Sequence, residues 1–162
     1  MWHQNLPPNM SKILLDPYHY NIANGFLTAT GFLKELEAVK GRSRLTLFLP
    51  EHRASEILPH FVDIQSFGPV KKTLLIKAHV CKGYFRLALL QSTMQQKFPT
   101  FATYAMGVEL YMLIISSHNR IVTASSGIVE AKLVKILYGH KPIVVYGVSK
   151  VLFLKEIFGN KL

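Results

Sequence analysis

The residues best suited to chemistry are cations with no acids beside them. Between Asp63 and Glu109 the chain has no acidic residue, yet Lys71, Lys72, Lys77, Lys82, Arg86 and Lys97 all fall there. Lys40, Arg42, Arg44 and Arg53 come shortly before. Cations concentrated in this way can neutralise phosphates and make binding depend on salt. Lys40, Arg42, Arg44, Arg53, Lys71, Lys72, Lys77, Lys82 and Arg86 are therefore the expected RNA-binding residues, the plainer alternative being a solvated face with no partner. Phe48, Tyr84 and Phe85 lie nearby and could stack on bases or belong to the core.

Other candidate chemistry is thinner. The seven histidines, His3, His19, His52, His60, His79, His118 and His140, show no metal-ligand spacing. Even the pair flanking a short predicted helix, His52 and His60, is too far apart in sequence for paired helical ligands. They read as structural, and no metal or cofactor is expected. The acids form no pair suited to acid–base work, and no Walker loop, nucleophile elbow or dinucleotide fingerprint occurs. One cysteine, Cys81, excludes an internal disulfide framework. Ser125-Ser126-Gly127 before a predicted helix could hold a phosphate at the helix N-terminus, but it lacks the lysine and further glycines of a nucleotide loop.

These residues sit in a chain of 162, enough for one domain with a real core. The formal charge is +10 and the isoelectric point about 9.8, while 49% of residues are hydrophobic and the mean hydropathy is +0.22. The charge must therefore lie on the faces of a packed domain. Nucleic acid is the leading polyanionic partner, followed by an anionic membrane surface. Residues 1–8 show no basic region before an apolar core, so no secretory signal is expected. The most apolar stretch, residues 98–119, is interrupted by Pro99, Glu109 and hydroxyls, so no membrane span is expected. No small-molecule substrate is expected.

Periodicity supplies the elements that position the cations. Residues 1–10 read as an irregular arm and 11–162 as a single globular domain. Strands are expected at 12–15, 45–49, 73–80, 110–117, 120–124 and 143–148, with turns at Gly68-Pro69, Ser117-His118-Asn119 and His140-Lys141-Pro142. Helices are expected from Ile22, over 51–61, over 84–97, over 128–137 and over 151–158, the last with Ser149 as N-cap. The fold class is α/β (or α+β), a mixed β-sheet covered by helices in a single compact domain.

Two resemblances follow. The run Ala131-Lys132, Gly139 and Gly147-Val148-Ser149 faintly resembles part of a phospholipase D-type nuclease motif. Glu130 stands where that family has its histidine, and Leu137 where it has an acid, so a degenerate nuclease fold is the alternative reading. The leading resemblance is to the ribosomal stalk-base protein of the large subunit, the L-ten family, in its divergent mitochondrial form. It rests on Arg44-Leu45-Thr46-Leu47-Phe48-Leu49-Pro50, on Phe67-Gly68-Pro69 with the run 73–77, on 110–136 and on 148–158. It implies a non-catalytic scaffold binding ribosomal RNA and neighbouring ribosomal proteins, with acidic stalk proteins as further partners. The implied location is the mitochondrial matrix, within the mitochondrial ribosome, or else a cytoplasmic ribosome.

Overall fold

The structure is a computed structural model describing residues 44–51, 67–106 and 109–158. The expected arm, the strand at 12–15, the helix from Ile22 and nearly all of the helix at 51–61 lie outside these residues. So do Lys40, Arg42 and Arg53.

The described strands are β1 (Leu45–Pro50), β2 (Val80–Lys82), β3 (Gln95–Phe98), β4 (Leu113–His118), β5 (Ile121–Ser125), β6 (Glu130–His140) and β7 (Ile143–Val148). They form one seven-stranded sheet in the order β2-β1-β7-β6-β5-β4-β3. The sheet is mixed, as expected: β1 and β7 run parallel, and the other pairs are antiparallel. Helices are short: α1 (Pro69–Lys77), α2 (Leu87–Gln91), α3 (Phe101–Met106) and α4 (Lys155–Phe158).

The central pair explains the two most apolar strand sequences. Every residue of LTLFLP and of IVVYGV is buried, which is the pattern of strands covered on both faces. Phe48, Val144, Tyr146 and Val148 face the main core with Leu113, Ile115, Val122 and Ala124. The rings of Phe48 and Tyr146 stack at 6.0 Å, and Phe85 packs edge-on to Phe98 at 4.8 Å. Phe48 and Phe85 are therefore core aromatics, the second of the two roles considered for them. Strands β4 and β5 alternate buried and part-exposed residues, and on their outer face the hydroxyls of Ser116 and Thr123 pair at 2.8 Å.

Four expected elements differ, each for a local reason. The stretch read as a strand at 73–80 is mostly α1, because Gly68 caps and Pro69 enters the first turn, where its missing N–H costs nothing. The helix expected over 84–97 shrinks to α2. Thr46 Oγ1 holds the Phe85 amide at 3.0 Å, while the hydroxyls of Ser92 and Thr93 both donate to the Leu89 carbonyl and end the helix. The helix expected over 128–137 is β6. Its register shifts at Leu133/Lys135 and Ile136/Tyr138 break the period of two and leave apolar residues at spacings that resemble a helix. The last helix shortens to α4, because Val151, Leu152, Phe153 and Leu154 are all buried, which no one-sided helix achieves. Ser149 is no helix cap; its hydroxyl accepts the Lys132 amide and its own amide donates to the Lys132 carbonyl.

His79 ties these parts together. Its Nδ1–H donates to the Leu75 carbonyl at 2.7 Å, and its Nε2 accepts the Leu152 amide at 2.9 Å. Its own carbonyl accepts the Phe48 amide at 2.8 Å. One buried residue thus joins α1, β1 and the 151–154 segment. The bond from Leu152 requires a bare Nε2, so the ring must stay neutral. Burial lowers its pKa from 6.5 to about 4, against the smaller opposing pull of the Leu75 carbonyl.

Two predictions follow from these contacts. An unfolded chain takes up a proton at His79 near pH 6.5 and the folded chain only near pH 4. The stability due to neutral His79 is thus complete above about 6.5, declines as pH falls, and levels off below about 4, a loss of about 3 kcal/mol. Urea unfolding across this range should show the decline in the native chain, and His79→Ala should lose about 3 kcal/mol at neutral pH while flattening this part of the profile. The second concerns the β4–β5 turn, where Asn119 and Arg120 have φ of 52° and 66°. This left-handed turn suits Asn but strains Arg. Arg120→Gly should raise stability by about 1 kcal/mol, read as a higher thermal midpoint.

Candidate functional site

A cationic cluster assembles where three strands end together. Leu45 pairs with Lys82 across β1–β2 and with Ile143 across β1–β7. Arg44 precedes β1, and its carbonyl accepts the Gly83 amide at 2.7 Å, while the Leu45 amide donates to the Pro142 carbonyl at 2.9 Å. Arg44, Lys82 and Lys141 are therefore brought to one end of the sheet, and all three are exposed. Arg86, also exposed, follows Phe85, whose amide and carbonyl are held by Thr46 Oγ1 and the Tyr146 hydroxyl. The Lys82 ammonium lies 4.3 Å over the Tyr104 ring and 5.7 Å over Phe101, which fixes its position without removing its charge. The acids on these strands fall elsewhere: Glu51 follows the opposite end of β1, and Glu130 opens β6 far from His140.

The sequence-nominated cations thus divide. Arg44, Lys82 and Arg86 are placed around this end of the sheet. Lys71, Lys72 and Lys77 are carried by α1, half-buried, with Lys71 lying 6.0 Å from the Phe67 ring. Lys141 was missed, because a lysine in a His-Lys-Pro turn carries no signal until the β1–β7 register is known. The remaining groups offer little for catalysis. Burial pushes the Cys81 thiol up to about 12, so it holds its proton at neutral pH. The Tyr146 hydroxyl is likewise raised to about 12, chiefly by burial, and donates to the Phe85 carbonyl at 2.6 Å. Among the described residues no group of three His, Cys, Asp or Glu side chains could hold a metal, and no helix is long and apolar enough to cross a membrane.

Ser125-Ser126-Gly127 does not begin a helix. Ser126 is buried, and its amide and hydroxyl bond the Val129 carbonyl while its hydroxyl also accepts the Val129 amide. Gly127 has φ of 98°, and a Cβ there would fall 2.6 Å from the Lys155 side chain. The loop is a turn between β5 and β6, with its polar groups used internally.

A second feature is a groove of about 200 Å³ where the sheet divides. Strand β6 pairs with β5 only at Glu130, Ala131 and Lys132, then pairs with β7 from Leu133 onward. The opening lies between Ile121 of β5 and residues 133–136 of β6, with Leu87 of α2 and Tyr146 among its lining.

Comparison with known proteins identifies this architecture. A fasciclin domain family model matches residues 19–154. A fasciclin-like arabinogalactan protein of Arabidopsis thaliana, number 4, is 37% identical over 151 residues, spanning 93% of this chain and 36% of its own. Number 2 from the same plant is 30% identical over 115 residues, spanning 70% of this chain and 27% of its own. The chain thus spans about a third of the length of these curated relatives. A solved FAS1 domain pair from the insect cell adhesion molecule Fasciclin I superposes with a TM-score of 0.61 at 13% identity, over 82% of this chain and 44% of the other, a likeness of fold.

These matches overturn the ribosomal reading. The chain is not an L-ten stalk-base protein, so ribosomal RNA, ribosomal proteins and stalk proteins fall away as partners, and the mitochondrial or cytoplasmic ribosome as location. The similarity rested on strand and turn order, which unrelated mixed sheets share, and its segment at 110–136 required a helix where β6 stands. The nuclease alternative falls with it: Lys132 and Glu130 are exposed on β6, and Ser149 is engaged with the Lys132 backbone. With the family model matched over most of its length, the chain belongs to the fasciclin domain family.

Proposed function

We propose that this chain is a non-catalytic adhesion module of a cell-surface or extracellular protein, and that the basic end of its sheet docks acidic polysaccharide. The observation that carries the reading is the convergence of Arg44, Lys82 and Lys141 from three separate strands onto one exposed end. Strand ends held by a buried ladder fix the spacing of the charges. That preorganisation lowers the ordering cost of engaging a repeating anion. The net charge of +10 adds long-range attraction for any polyanion. An adhesive role accords with the insect cell adhesion molecule that shares the fold and with the arabinogalactan proteins that share the sequence.

In this reading residues 11–162 act as one module and residues 1–10 as an arm, an assignment supported by the family match over 19–154. Arg86 extends the basic end, and Lys71, Lys72 and Lys77 strengthen the field without touching the ligand. Carboxylated polysaccharide is the ligand class because its charges repeat along a flexible chain and can meet cations at a strand end one after another.

The test is retention on immobilised polygalacturonate, with dextran as the neutral control. The native chain should be retained at low salt, released by moderate NaCl, and ignored by dextran. The variant Arg44→Glu/Lys82→Glu/Lys141→Glu should bind at least tenfold more weakly with its circular dichroism unchanged. Equal retention of that variant, or retention insensitive to salt, would count against the proposal.

A further inference from the structure

The groove at the division of the sheet has properties that the basic end lacks. From Leu133 onward β6 has β7 on one side and, among the described residues, no strand on the other. Ile121 and Val122 of β5 pair with β4 and leave their opposite edge unpaired as well. Backbone donors and acceptors therefore line the opening, the arrangement that accepts an added strand. The side chains around it are apolar and exposed: Ile121 at 52%, Val134 at 50% and Ile136 at 51%. Arg120 and Lys135 stand among the lining, and no acidic side chain does.

We propose that this groove binds an extended acidic peptide segment by strand addition to the β6 edge at residues 133–136. The peptide backbone continues the ladder that β5 abandons at Lys132. Apolar side chains on one face of the added strand cover Ile121, Val134 and Ile136, and alternate acidic residues meet Arg120 and Lys135. The site is distinct from the basic end, because it needs a peptide backbone with regularly spaced N–H and C=O groups to continue the ladder, which a polysaccharide lacks.

A second copy of this chain is a poorer occupant. Its own β6 edge would bring Lys132 and Lys135 against the same cations, and the two register shifts bend the strand out of the flat form that self-pairing requires. A short peptide can follow that bend.

The test uses a capped ten-residue peptide of alternating Val and Glu, with two controls: alternating Val and Lys, and the acidic peptide with every second Val replaced by Pro. The acidic peptide should bind saturably below 1 mM and slow amide hydrogen exchange at residues 133–136 at least tenfold, while both controls fail. Lys135→Glu should weaken binding at least tenfold with an unchanged thermal midpoint, and Arg44→Glu/Lys82→Glu/Lys141→Glu, which lowers the net charge but leaves the groove's own residues in place, should weaken it less than about threefold. The proposal is overturned if the acidic peptide does not bind at 1 mM, if the Pro peptide binds equally, or if protection appears elsewhere. Protection of the same amides by polygalacturonate, or by self-association of the chain alone, would overturn it too.

Discussion

The constraint on which the fold depends is the parallel pairing of β1 with β7. These strands lie almost a hundred residues apart in sequence, and all twelve of their residues are buried. Parallel neighbours cannot be joined by a tight turn, so everything between them must form one long excursion that returns to the same place. Strands β2 to β6 are that excursion. Burying Leu45, Leu47, Phe48 and Leu49 stabilises the pair by roughly 1.5–3 kcal/mol per side chain, enough to hold a central axis while its neighbours bend. His79 then locks α1 and the 151–154 segment to that axis with buried hydrogen bonds, at the cost of keeping a titratable ring neutral.

The same axis explains the two surface features. Because β1, β2 and β7 are held in register from Leu45, Arg44 just before β1, Lys82 at the end of β2 and Lys141 just before β7 are brought to the same end of the sheet. Because β6 must serve both β5 and β7, it changes partner at Leu133, and the sheet opens there. The cluster is a consequence of strand ends and the groove of a strand middle. They present different chemistry: charge alone at the first, and backbone edge, apolar surface and charge together at the second.

Legibility in the sequence tracked burial symmetry. The strands at 45–49 and 143–148 were readable because residues covered on both faces are continuously apolar, and the hairpin over β4 and β5 because its Asn turn and alternating strands agree. The misread elements are those whose state is set by distant partners. Phe85 is held out of a helix by Thr46, Leu152 by His79, and β6 loses its alternation to register shifts that only pairing with β7 reveals. The excess of cations was plain, but charge alone could not separate nucleic acid from other polyanions, and an order of strands and turns common to many mixed sheets led to the wrong family. Lys141 carried no signal in its turn; its relevance appears only when β7 is laid beside β1.

The central claim is that cations from three strand ends act together as one docking surface for acidic polysaccharide. Titrating an oligogalacturonate into isotopically labelled protein and following the backbone amides would test it most directly. The account predicts shifts concentrated at residues 44–45, 82–83 and 141 that saturate together with a single affinity and vanish in high salt. Shifts spread evenly over the basic surface, or centred on α1 with the three strand ends silent, would contradict it.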